Sequence, residues 1–151
     1  MAEEFPVISG KNLNKEKIVI PDDYSAKNLI AIVAFQKWHQ NSVDQTIEKF
    51  EQNNINETHH IIEVPLIQRT SWLRQIRLDT LMRTAIRDPK VRQRTITVYL
   101  DKKDFLKKLN IKNEESIHWF LIDHVSKAIM MRGNGVVSLE EIRNIISTLD
   151  E

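Results

Sequence analysis

Five histidines, a run of arginines and scattered carboxylates are the residues able to carry chemistry in this chain, which has no cysteine. Without a thiolate there is no disulfide, zinc–thiolate site, thiol-peroxidase activity or disulfide exchange. His59 and His60 adjoin on a stretch that reads as a strand. Their side chains therefore point to opposite faces, and they cannot chelate one ion together; a solvated strand edge is expected. Asp44 has no second carboxylate at a fixed spacing and makes no acid/base pair. Gly133-Asn134-Gly135 lacks the third glycine and the lysine of a phosphate loop and reads as a turn.

The arginines are the denser signal. Residues 69–94 hold eight Lys/Arg against Asp79 and Asp88, a net of +6, while residues 1–60 net −3 and the whole chain +1. Such a segment suits a local anionic contact rather than a dedicated nucleic-acid surface. Arginine favours bidentate carboxylate or phosphate contacts. Trp72 lies among Arg74, Arg77, Arg83, Arg87 and Arg92, and tryptophan with arginine is a common pairing at protein interfaces. The plain alternative is a solvated helix face.

Positioning these groups requires an α/β framework. Leu29–Phe35 is an unbroken apolar run, as in a strand buried on both faces, and Val43, Ile47 and Phe50 then recur at helical spacing. The chain before it reads as an extended lead-in with a turn at Ser9-Gly10, then a short strand Lys17–Ile20. Further strands are expected over His60–Ile67, Thr95–Leu100, Trp119–Ile122 and Ala128–Met131. Ser71 suits a short turn through Leu73, and Asp79 caps a helix ending at Asp88-Pro89, with Arg83 and Arg87 opposite its apolar face. Phe105, Leu106 and Leu109 mark another helix, and Ser138 with Glu141 forms a capping box opening the last one. At 151 residues one domain is expected, with an N-terminal hairpin extension over 1–24 and a basic helical insertion over 68–94.

Phe35-Gln36-Lys37-Trp38-His39-Gln40-Asn41-Ser42 resembles the F-x-x-W-C-x-x-C element of thioredoxin-like proteins, with His39 and Ser42 in the two thiol positions. The Glu63-Val64-Pro65-Leu66-Ile67 strand, the Phe120-Leu121-Ile122-Asp123 strand with its hairpin, and the capped last helix extend the resemblance over nearly the whole chain. It implies a thioredoxin-like three-layer α/β/α sandwich with a mixed central sheet and a helical elaboration at about 70–90. The layout is similar to cysteine-less relatives of peroxiredoxins and thiol–disulfide oxidoreductases. Trp38 to Asp44 is also similar to the mitochondrial ATP synthase assembly factor family.

The resemblance places Ile117 where redox members carry a cis-proline, so a trans loop is expected there. It also brings His118 near His39, with Trp38 and Trp119 beside them. Two imidazoles at a helix N-terminus suggest a metal or anion site, though zinc needs at least three protein ligands. The resulting expectation is a non-catalytic domain with no cofactor, acting as a protein-binding, chaperone or assembly factor. The expected partner is another protein, a second copy of the chain included, and not nucleic acid. The alternatives are a metal- or anion-binding carrier using His39 and His118, and a redox-family homologue of another role. An acidic start without an apolar segment, and no run long enough to span a bilayer, suggest a cytoplasmic location.

Overall fold

A computed structural model describes residues 3–150, apart from the side chains of Trp72 and Asp150. Its strands are β1 (Ile8–Asn12), β2 (Lys17–Ile20), β3 (Asn28–Ala34), β4 (His59–Gln68), β5 (Ile96–Leu100), β6 (His118–Ile122) and β7 (Ile129–Asn134). The helices are α1 (Gln40–Gln52), α2 (Ile55–Thr58), α3 (Trp72–Ala85), α4 (Pro89–Arg94), α5 (Lys102–Lys108) and α6 (Leu139–Ser147). One mixed sheet runs in the order β2-β1-β5-β4-β3-β6-β7. β3, β4 and β5 are parallel neighbours, and the outer pairs are antiparallel.

The apolar run predicted for β3 is central, and Leu29 to Val33 are all within 1% of complete burial. Alternation along it feeds two cores. Leu29, Ala31 and Val33 join Val64, Val98, Phe105, Leu109 and Phe120 on one face. Ile30 and Ile32 join Val43, Ile47, Phe50, Trp119, Ile142 and Ile145 on the other. α5 therefore covers one face, and α1 and α6 the opposite one.

The steps β3 to β4 and β4 to β5 run the same way across the sheet, so right-handed crossovers put α1 and α3 on the same side. Side chains agree. Thr97 and Tyr99, which alternate with core-facing Val98, reach α3: the Tyr99 hydroxyl donates to Asp79 Oδ1 (2.8 Å), and the Thr97 hydroxyl lies 3.9 Å from Met82 Sδ.

Several local expectations are corrected. Ser9-Gly10 is not a turn but the middle of β1, and the hairpin turn follows at 12–16, where the Asn12 side chain accepts from the backbone of Asn14 and Glu16. Asp79 does not start a helix. Ser71 caps one continuous helix eight residues earlier, accepting from Arg74 N. Asp88-Pro89 opens α4 instead of merely ending its predecessor, with Asp88 accepting from Lys90 N and proline at the first turn. Gly133 and Asn134 belong to β7, so they form no turn.

Two glycines are held by close approach. A Cβ on Gly10 would overlap the Thr97 carbonyl oxygen of the paired strand, and one on Gly133 would lie 2.5 Å from both the Trp119 ring and the Glu141 carboxylate. Gly10→Ala and Gly133→Ala should each destabilise by about 1–3 kcal/mol, read as a lower urea midpoint with unchanged slope. An unaltered midpoint for either would mean that strand sits differently.

Candidate functional site

The end of β3 runs through Phe35 and Gln36 into a 3-10 turn, Lys37–His39, and on into α1. His39, expected at the first thiol position from the sequence resemblance, is fully buried. Its Nδ1 accepts from the backbone N–H of Phe35 (3.0 Å) and of Gln36 (3.2 Å), while Nε2 lies 3.0 Å from the Glu115 carbonyl oxygen. A carbonyl only accepts, so Nε2 carries the proton and Nδ1 is the acceptor. Both ring nitrogens are occupied.

The loop before β6 closes over the same place. Lys102 Nζ donates to the Phe35 carbonyl (3.2 Å) and lies 3.6 Å from Glu114 Oε2, and Gln36 Nε2 reaches Glu114 Oε1 at 3.5 Å. Trp38 is 64% exposed and packs edge-on against His39 with centroids 4.3 Å apart. Ser42 is half-buried in the first turn of α1.

His118 is half-buried, and its Nε2 is buried without a hydrogen-bond partner. Burial, chiefly, pushes this imidazole below its ordinary pKa. A hydrogen bond to the Asn113 backbone opposes this lowering, and the charge of Arg132 adds to it. Phe35 is edge-on to both imidazoles, 6.3 Å from His39 and 5.8 Å from His118. The proposed ligand pair is thus corrected: His39 has no free nitrogen to offer. Among the described residues no three His, Cys, Asp or Glu cluster to hold a metal.

Trp119 is fully buried in the core with its Nε1 unpartnered, so it is no part of a surface site. Ile117 is also fully buried, its peptide is trans as expected, and its carbonyl accepts from Gly135 N (2.8 Å). His59, expected at a solvated edge, is 2% exposed with Nδ1 against the Thr58 hydroxyl at 2.8 Å; His60 Nε2 donates to the Ser25 carbonyl.

The basic segment divides. Arg92 is structural, donating from Nε and Nη2 to the Ile86 and Arg83 carbonyls and so closing the end of α3. Arg83 is half-buried with an enclosed Nε, which corrects its assignment to a solvated face. Arg74, Arg77 and Arg87 are exposed. The ion pairs among the described residues join Arg94 to Glu63, Lys102 to Glu114, Lys108 to Asp104 and Arg132 to Glu3, so none neutralises these three. The Trp72 side chain lies outside the described residues. Beside the arginines Leu73 is 74%, Ile76 45% and Leu81 61% exposed, a concentration of apolar surface the sequence reading missed.

Glu63 was also missed, although a carboxylate inside the apolar run of β4 was its signal. It is 3% exposed, with Oε1 accepting from Gln40 Nε2 and Oε2 from Arg94 Nε, both at 3.1 Å. Gln40 Nε2 also donates to Asp44 Oδ1, at 2.9 Å. Burial raises the Glu63 pKa, outweighing the hydrogen bonds from Gln40 and Arg94, which lower it.

No protein-family model matches the sequence, and a search of curated proteins finds no match. Solved structures do match. One, described as a putative thiol:disulfide interchange protein DsbE from Chlorobium tepidum, superposes with TM-score 0.61 at 10% identity, over 99% of this chain and 95% of that one. The fold is thioredoxin-like. The mitochondrial 2-Cys peroxiredoxin from Plasmodium falciparum gives TM-score 0.57 at 14% identity, covering 99% and 94% of the two chains. BsSco, a member of the Sco family of cytochrome c oxidase assembly proteins, gives 0.59 at 12% identity, covering 99% and 93%. This thioredoxin-like domain shares the frame of thiol–disulfide oxidoreductases without a cysteine. Among the described residues no helix is long and apolar enough to cross a membrane.

Two outcomes follow from this geometry. His39→Leu removes the partner of two N–H groups and one carbonyl at about 1–3 kcal/mol for each group left buried, so unfolding should move to markedly lower urea. An unchanged midpoint would show that His39 is not the staple. For Glu63 the folded state holds its proton more tightly than the unfolded chain. Stability from this group therefore declines as pH rises from the ordinary glutamate value through the raised one. The stability of Glu63→Gln minus that of the wild type should rise as pH increases from about 4, the ordinary glutamate range; a difference falling with pH would contradict the burial of Glu63.

Proposed function

We propose that this chain is a non-catalytic thioredoxin-like domain that binds another protein through the exposed side of α3, in a chaperone or assembly role. The observation that carries the reading is α3 itself. It turns Leu73, Ile76 and Leu81 to solvent beside Arg74 and Arg77, which have no ion-pair partner among the described residues. Exposed apolar residues scattered singly are ordinary, but Leu73 and Ile76 adjoin one turn apart and Leu81 lies two turns beyond Leu73 in the same row, with Arg77 between. Arginine set among apolar residues is typical of interface anchors.

The thiol-equivalent position supports the same reading from the other side. His39 is buried and doubly bonded where the redox frame needs an accessible nucleophile, which leaves dithiol chemistry without an attacking group. An assembly role also draws on the similarity of Trp38–Asp44 to the ATP synthase assembly factor family.

A photo-crosslinking amino acid at Thr84, at the edge of the exposed α3 face, tests the proposal in cells. A defined protein adduct is expected, absent with the same amino acid at Lys107 on α5 and lost in Arg74→Glu/Arg77→Glu. The melting temperature of that variant should barely change, because exposed arginines contribute well under ~1 kcal/mol each. An adduct of equal yield from Lys107, or one indifferent to the charge reversal, would return α3 to a solvated face. Dithiol-dependent disulfide reduction by purified protein would overturn the non-catalytic assignment.

A further inference from the structure

The outer face of α3 is more apolar than its sequence suggests. The Thr80 and Thr84 hydroxyls donate to the carbonyls of Ile76 (2.9 Å) and Thr80 (2.8 Å), one turn back along the helix. Their hydrogen-bonding capacity is partly spent inside the helix, and their methyl groups add to the apolar character of the exposed side. Ile76, Thr80 and Thr84 form one row at spacings of four, and Leu73, Arg77, Leu81 and Ala85 form the adjacent row. Two neighbouring rows of this kind make a ridge and groove of the sort into which a second helix packs. The cations Arg77 and Arg74 sit in and beside the second row.

Resting on the protein-binding reading of α3, we infer that its partner element is an acidic amphipathic helix of another protein, laid along these two rows. A helix face has no free backbone donors or acceptors, so strand addition is unavailable and recognition runs through side chains. Leucine or isoleucine on the partner would pack against Leu73 with Ile76 and, two turns on, against Leu81, and its flanking Asp or Glu would pair with Arg74 and Arg77.

The chain's own helices do not supply that occupant. α1 exposes Asp44, Glu48 and Glu51 but no large apolar residue. α6 exposes Leu139 and Ile146, but Arg143 lies between them on the same side and would confront the arginines of α3. α5 is exposed mainly through lysines. A flat anionic membrane fits less well than a helix. α1 covers the same face of the sheet, so a surface spanning that face would meet Asp44, Glu48 and Glu51 as well as the arginines.

Fluorescence anisotropy at low salt, with the intact protein and four probes, separates these cases. The probes are a stapled helical peptide with a leucine seam flanked by glutamates, a scrambled peptide of the same composition, and the seam peptide with lysine for glutamate. Phosphatidylcholine vesicles holding an equal share of phosphatidylserine are the fourth. The glutamate helix should bind at least about tenfold more tightly than either other peptide. It should weaken by about tenfold or more in Arg74→Glu/Arg77→Glu and in Leu73→Ser/Leu81→Ser, two exposed pairs that leave the core intact. Equal binding of the seam and scrambled peptides would reduce the contact to charge and overturn the helix; the Thr84 adduct, if present, would still uphold the protein-binding reading. Vesicle binding without peptide binding would overturn the inference in favour of lipid, and the absence of a Thr84 adduct would then remove the reading beneath it. No binding of any probe also overturns the inference.

Discussion

Three hydrogen bonds to one imidazole hold the end of the central strand, the start of α1 and the loop before β6 in a single arrangement. Nδ1 of His39 gathers the Phe35 and Gln36 amides, and Nε2 ties down the Glu115 carbonyl. A strand that stops and turns at once into a helix leaves N–H groups without partners. At this junction the side chain supplies the acceptor from within the turn. Because the ring is buried, each of those groups depends on it rather than on water. The same bonds that order the junction withdraw both nitrogens from any ligand.

Closing that site shifts chemical opportunity along the same face of the sheet. Glu63 sits between α1 and α4, held by Gln40 on one side and Arg94 on the other, and so joins α4 to the helix that follows His39. A buried pair of this kind adds little net stability but penalises arrangements that separate its partners. Beyond it α3 touches the sheet through Tyr99 and Thr97, Arg92 of α4 closes its C-terminus, and its opposite side is left bare. A helix anchored on one side by polar contacts, with leucines on the other, is suited to lending the second side to a partner.

Much of the frame was legible in the sequence because its signals are local. The apolar run of β3, the β-rich Thr95–Leu100 stretch and the Ser138–Glu141 capping box each carry their own physical cause, and each appears where expected. α3 was harder. Leu73, Ile76, Leu78, Leu81 and Met82 are spread around the helix, so no periodic face announced which side the sheet would cover, and Asp79 looked like a start when Ser71 already served. Arg83 was misread for the same reason. The site was legible in position but not in role. Whether His39 faces solvent or the interior depends on the path of the 110–117 loop, distant in sequence, and Glu63 is paired by residues 23 positions before it and 31 after it.

The central claim is that His39 is a structural staple and not an open ligand. Long-range proton–nitrogen correlation on protein labelled with nitrogen-15 histidine reads this directly. The account predicts one His39 tautomer, protonated at Nε2 with Nδ1 as the acceptor, and ring nitrogen shifts that stay in place when zinc is added in excess. A proton on Nδ1, averaging between tautomers, or a zinc-induced shift of either His39 nitrogen would contradict it.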